Sequence, residues 1–264
     1  MRIGSIASGS SGNSIYVGSD TTHLLVDAGV SNKRIEQGLE EFQLSAADVG
    51  ALLITHEHSD HIQGLRVFLK KHPCPVYASE GTIRRIIPTL NGEVPKELFR
   101  VVRAGQQFTV GDMRIRPFSI DHDAAEPLAF RLESGEKAAA VATDMGHYTE
   151  EIVGMLEGLD ALLVESNHDI RMLEAGPYPY ALKRRILGNF GHLSNESAGR
   201  LVARILHDDL KKIILGHLSK ENNFPELAYE TVRCEISEAS CPYQPDDFRI
   251  EVAARDRVSA LTEF

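Results

Sequence analysis

No stretch of these 264 residues is long and apolar enough to cross a bilayer, which takes about 20 such residues. Cysteine is scarce: Cys74, Cys234 and Cys241 are odd in number and far apart. That excludes a disulfide scaffold and points to a reducing, cytoplasmic setting. None of the three sits in a ligand-like pair, so any metal chemistry here is thiolate-free. The opening Met1-Arg2-Ile3-Gly4-Ser5 lacks the layout of a signal peptide. Linkers rich in Pro, Gly or Ser are missing, as are charge blocks and low-complexity tracts, so one domain over residues 1–264 is expected. A surplus of positive charge is missing too. The net charge of −10 argues against an extended nucleic-acid grip of the usual basic kind. It leaves room for a local cluster such as Lys183-Arg184-Arg185 to touch an anionic backbone. With 42% apolar residues the chain has ample material for a core.

What is present in density is a set of metal-ligand side chains. Residues 56–61 read His-Glu-His-Ser-Asp-His, just after the apolar run Ala51-Leu52-Leu53-Ile54. The run is short and branched, the signature of a buried strand. On an extended backbone His56 and His58 point the same way. Asp60 and His61 then open a helix predicted over Ile62–Lys71, where Ile62, Leu65, Phe68 and Leu69 follow a helical period. One loop can thereby serve two metal ions. Imidazole and carboxylate together suit zinc, manganese or iron, and exclude a calcium site built from oxygen alone.

Further along, polar residues recur where apolar strands stop. Strands are predicted over Arg2–Ala7, Ser14–Val17, His23–Val26, Ala51–Thr55, Pro75–Ala78, Arg114–Ile120, Leu128–Leu132, Lys137–Ala142, Ala161–Glu165, Lys212–Leu215 and Phe248–Val252. Helices are predicted over Asn32–Glu41, Ile62–Lys71, Gly81–Ile87, Thr149–Leu156, Tyr180–Leu187, Asn195–Leu206 and Pro225–Ser237. This alternation suits a layered α/β sandwich. Asp27, His122, Asp144 and His217 each follow a strand, and loops at a sheet edge are where sites are built. His56, His58 and His122 then give one ion three imidazoles. Asp60, His61 and His217 serve the second, and Asp144 bridges the two. Each ion keeps an open position, as catalytic sites do, and a hydroxide held between two such ions is a nucleophile at neutral pH. Asp27 is expected to orient a ligand imidazole from behind.

His-x-His-x-Asp-His at 56–61, with Asp27, His122, Asp144 and His217 around it, resembles the metallo-β-lactamase superfamily over most of the chain. The resemblance implies a four-layer αβ/βα sandwich with a dinuclear site at one edge of its sheets. Ser8-Gly9-Ser10-Ser11-Gly12-Asn13-Ser14 resembles a turn of the YycJ/WalJ-like branch, and makes Ser10, Ser11 and Asn13 candidates for substrate contact. Gly191-His192-Leu193-Ser194 resembles the Gly-His-Ser-Thr segment of tRNase Z. Leu162-Leu163-Val164-Glu165 resembles its His-Glu-Ala-Thr segment, with Val164 where that family carries histidine. The resemblance makes His192 a general acid held by Glu165. Asp60, His192 and Glu165 are the candidate catalytic groups, Ser194 is a helix N-cap, and His168 is a further residue expected near the site. The interval from Asp144 to His217 is too short for the inserted domain of RNase J-type nucleases. The implied activity is a metal-dependent phosphodiesterase, a nuclease acting on DNA ahead of RNA and from the 5′ end, with two divalent ions. Thioester or lactone hydrolysis of the glyoxalase II type and a di-iron oxidoreductase are the alternatives.

Overall fold

Short runs of branched residues become strands buried on both faces. Leu24, Leu25 and Val26 are fully buried, as are Leu52, Leu53 and Ile213. The structure, a computed structural model, describes residues 1–264. Its strands are β1 Arg2–Ala7, β2 Ser14–Gly18, β3 His23–Val26, β4 Val49–Leu53, β5 Val76–Ala78, β6 Phe99–Val101, β7 Phe108–Val110, β8 Met113–Ser119, β9 Leu128–Ser134, β10 Lys137–Ala142, β11 Ala161–Glu165, β12 Lys212–Gly216, β13 Ile250–Val252 and β14 Thr262–Glu263. Its helices are α1 Asn32–Glu41, α2 Ser59–Ile62, α3 Leu65–Lys71, α4 Glu80–Thr89, α5 Glu150–Leu156, α6 Ile170–Ala175, α7 Tyr180–Leu187, α8 Asn195–Ile205 and α9 Pro225–Glu238.

The strands form two seven-stranded sheets, ordered β14-β1-β2-β3-β4-β5-β6 and β13-β12-β11-β10-β9-β8-β7. Both are mixed: antiparallel hairpins at one side give way to the parallel runs β3-β4-β5-β6 and β10-β11-β12-β13. A central core including Ile3, Val17, Leu53, Phe130, Val141 and Ile214 fills the space between the sheets. The outer face of the first sheet packs on α1, α3 and α4 through Ile35, Leu39, Phe68 and Ile86. The second sheet packs on α5, α8 and α9 through Leu156, Leu201, Val202 and Val232. Helix, sheet, sheet, helix is the expected four-layer αβ/βα sandwich. Parallel strands covered on both faces read as continuous apolar runs, which is why β4, β11 and β12 were legible.

Several elements depart from the expectation. The helix predicted over Ile62–Lys71 is two helices, α2 and α3; Asp60 and His61 do open the first of them, which begins at Ser59. The break falls at Gly64, whose N–H donates to the Ala28 carbonyl (2.8 Å). A Cβ at Gly64 would lie 1.9 Å from the Val30 carbonyl oxygen, so only glycine admits this approach. The strands β6, β7 and β14 and the helix α6 were not expected. They are short, and β6 and β7 are half-exposed edge segments of three residues each, too few to establish a period.

Candidate metal centre

The parallel strands of both sheets end on the same side of the molecule, and the donor residues stand at those ends. Asp27 follows β3, the segment 56–61 follows β4, His122 follows β8, Asp144 follows β10, Glu165 ends β11 and His217 follows β12. Asp27, Asp144 and His217 have φ of 65°, 61° and 55°. This left-handed backbone is unfavourable for residues other than glycine and recurs at functional sites. It turns the chain sharply as each strand stops.

The structure brings all seven expected donors together. His56, His58 and His122 form one group; Asp60, His61 and His217 form another; His56, His61 and Asp144 link them. In each, the ligand-type atoms lie within 4.8 Å of one another. Asp144 stands between the groups, with Oδ2 3.2 Å from His61 Nε2 and Oδ1 3.5 Å from His217 Nε2 and 3.7 Å from His122 Nε2.

Outer contacts fix how the imidazoles face. His61 Nδ1 donates to Asp27 Oδ2 (2.7 Å) and His217 Nδ1 to Glu165 Oε1 (2.8 Å). His122 Nδ1 donates to the Gly191 carbonyl (3.1 Å), and His56 Nδ1 meets Thr55 Oγ1 (3.0 Å). These assignments follow from the hydrogen-bond network. Four rings are therefore tied at Nδ1 and turn Nε2 inward. His58 is reversed: its Nδ1 lies 3.0 Å from His56 Nε2 and 3.3 Å from His122 Nε2.

Nitrogen facing nitrogen at such range is a poor protein hydrogen-bond network and a good cation cage. Asp144 Oδ2 supports the same conclusion: it is buried, and its 3.2 Å approach to His61 does not have hydrogen-bond geometry, so it has no partner. A buried carboxylate oxygen without a donor is costly unless a cation faces it. The donor set thus fits divalent metal. Burial and the surrounding imidazoles push His56 well below the usual histidine range.

Asp27 works from behind, as expected. It also accepts from the Thr55 N–H (2.8 Å) and Thr55 Oγ1 (2.9 Å), joining the ends of β3 and β4. Burial raises its carboxyl, and the bonds from His61 and Thr55 oppose the rise. Asn13 is buried; its side chain accepts from the Gly9 N–H (2.9 Å) and its Nδ2 lies 3.2 Å from His61 Nε2. Ser10 and Ser11 are exposed at the tip of that turn.

Glu165 holds two histidines at once. Its Oε1 is 2.8 Å from His192 Nδ1 and 2.8 Å from His217 Nδ1, while Oε2 accepts from the N–H groups of Met145 (3.0 Å) and Leu193 (3.1 Å). Burial would raise this carboxyl, but His192 and His217 bring it down to about 2. The pull of Glu165 outweighs burial at His192 and raises it above the usual histidine range. Ser194 caps α8, accepting from the Ser197 N–H (3.2 Å), and so fixes the loop that carries His192.

His168 sits apart from the donor groups. It is buried, meets Asn167 Oδ1 (3.3 Å), and burial pushes it down to about 4. Its neighbour Asn167 is the one that reaches the centre, donating to the His217 carbonyl (2.8 Å). Thr55, Asn167, Asp123 and the Gly191 carbonyl were missed from sequence. Asp123 Oδ1 lies 3.5 Å from His122 Nε2 and 3.9 Å from His58 Nε2, and its other oxygen is paired with Arg185. Only the Asp-His-Asp run around His122 hinted at Asp123, and a backbone carbonyl leaves no trace in side-chain identity.

Residues 22–217 match the beta-lactamase superfamily domain. The chain belongs to the metallo-β-lactamase superfamily. Within it, the chain is 42% identical to the exodeoxyribonuclease YycJ of Bacillus anthracis over 233 residues, 88% of either chain. It is 40% identical to the exodeoxyribonuclease WalJ of Streptococcus pneumoniae, covering 98% of this chain and 96% of that one. Among solved structures of the superfamily fold, Zn²⁺-bound PqqB from Methylobacterium extorquens superposes with a TM-score of 0.71 at 18% identity, covering all of both chains. Superfamily membership and the donor set together make this a divalent-metal site.

Proposed function

We propose that the chain is a metal-dependent exodeoxyribonuclease that releases nucleotides from the 5′ end of DNA. One observation carries the chemistry: Glu165 grips His192 beside the donor groups, 2.8 Å from its Nδ1. The identity to YycJ and WalJ over nearly the whole chain supports DNA as the substrate. In this proposal residues 1–264 act as one domain, because donors come from both sheets.

His56, His58 and His122 would hold one ion, Asp60, His61 and His217 the other, with Asp144 between; zinc or manganese suits the set, and iron is the third choice. Bound there, the ions supply Lewis-acid chemistry, activating water and neutralising charge on the phosphate. The open side of the centre is marked by residual exposure of His58 (33%), Asp60 (23%) and the neighbouring His192 (18%), while His56, His61, His122, Asp144 and His217 are closed off. Substrate would enter there. His192, with Nδ1 committed to Glu165, has its remaining nitrogen for the leaving oxygen. Glu165 keeps that imidazole protonated and oriented until the proton is needed. Thioester cleavage has no need of such a pair.

The test is an assay of protein loaded with Zn²⁺ or Mn²⁺ against 5′-phosphorylated duplex, single-stranded DNA, RNA and S-lactoylglutathione. Mononucleotides released from the 5′ end of DNA are the expected result. Thioester cleavage with DNA left intact would overturn the proposal.

A further inference from the structure

The segment just before His192 is built unlike the rest of this acidic chain. Helix α7 runs Tyr-Ala-Leu-Lys-Arg-Arg-Ile-Leu, and none of its residues is buried. Tyr180 is 76% exposed, Leu187 44% and Phe190 60%, three of the most exposed large apolar side chains in the molecule. Lys183 and Arg184 lie between them and face no carboxylate, Lys183 Nζ donating to the Glu174 carbonyl (2.6 Å), whereas Arg185 is held by Asp123. A helix without a buried face gains little from packing, so its exposed rings are not there for the core.

The same segment is latched to the centre. The turn after α7 gives the Gly191 carbonyl to His122 and bonds the His192 N–H to the Ile186 carbonyl (3.0 Å). At Gly191 a Cβ would lie 2.1 Å from the Ile186 carbonyl oxygen, and at Gly146, just past Asp144, 2.0 Å from the Asn189 carbonyl oxygen. Gly146 lets this turn press against the loop that carries Asp144, and Gly191 lets the turn fold back onto the end of α7. Phe190 therefore stands two residues from His192 on a fixed backbone.

We infer that Tyr180 and Phe190, with Lys183 and Arg184, form a platform that binds single-stranded DNA next to the metal centre. This rests on the exodeoxyribonuclease proposal and adds the substrate form. Exposed rings stack on bases whatever the sequence, and cations not neutralised by a carboxylate track the backbone phosphates. In a chain of net charge −10 a cationic, aromatic face complements a polyanion. A strand laid on α7 leads its phosphates toward the opening by His192. The platform favours unpaired bases, because rings inside a duplex are already stacked.

The chain has no tryptophan, which makes a direct test available. Phe190→Trp places a single indole on the platform. With metal removed by EDTA to prevent cleavage, single-stranded DNA should quench its emission, and duplex of the same length much less. Phe190→Leu keeps the apolar bulk but not the ring, and should raise KM on single strands about tenfold while kcat changes much less. Replacing Lys183 and Arg184 by Gln should flatten the salt dependence of binding by about 0.7 per cation in a plot of log K against log salt. Three results would overturn the inference: DNA cleaved with unchanged KM by Phe190→Leu, no quenching of the indole, or a change of oligomeric state in Phe190→Leu, which would make the face a contact between copies. Wild-type protein that cleaves no DNA at all would instead strike at the functional proposal.

Discussion

At the scale of single residues, the site is a matter of which nitrogen each imidazole turns inward. Four histidines spend Nδ1 on Asp27, Thr55, Gly191 or Glu165, and such partners set ligand orientation and basicity. The donor residues themselves were legible in sequence, because His-x-His-x-Asp-His is dense and because each later donor stands past an apolar run. Their supporting contacts were not. Thr55 looks like any strand-end threonine until its hydroxyl is found 2.9 Å from Asp27 and 3.0 Å from His56. His192 is separable from the ligands in the proposed chemistry. Replacing it with Ala should lower kcat by about 10²–10⁴-fold, the usual range for a lost general acid, with metal content by mass spectrometry unchanged. Loss of metal in parallel with activity would make His192 a ligand instead.

Elements place those residues, and here sequence patterning succeeded wherever strands are buried on both faces. It failed at edges such as β6 and β7, where three residues are too few to establish a period, and at Gly64, where a backbone approach across the fold splits a helix that looks continuous in sequence. Gly29 makes a comparable approach: a Cβ there would lie 1.6 Å from the Asp60 carbonyl oxygen. Gly29→Ala should therefore displace Asp60 and weaken metal binding, read as a higher metal concentration for half-maximal activity, while the far-ultraviolet circular dichroism stays native. Unchanged metal affinity would show that the loop absorbs the methyl group. At the opposite end of the sandwich, Asp112 accepts from Ser19 (2.7 Å), Thr21 (2.9 Å) and Thr22 (2.6 Å) of the β2–β3 hairpin and from Ser134 (2.8 Å) of β9, tying one sheet to the other. These hydroxyls hold its carboxyl below the ordinary carboxylate range. A depressed folded pKa means stabilisation that is complete above the unfolded value of about 4 and is lost as pH falls further. The Tm gap between wild type and Asp112→Asn should be present at pH 7 and shrink below about pH 4. A gap independent of pH would deny the carboxylate this role.

For the whole molecule, the point of the four-layer fold is convergence. Donors from positions 56 to 217 meet because the parallel strands of both sheets end on one side, and the two sheets are pressed together by a shared core. The early motif announced the fold, but the seam it completes is a product of topology. No helix is long and apolar enough to cross a membrane, and the apolar runs are spent on the sandwich. The central claim is that these seven side chains grip two cations. Anomalous X-ray scattering from crystals grown with Zn²⁺ or Mn²⁺ tests it directly. The expected map has two peaks about 3.5–4 Å apart, one against His56, His58 and His122 and the other against Asp60, His61 and His217, with Asp144 reaching both. A single peak, or strong peaks away from these residues, would contradict it.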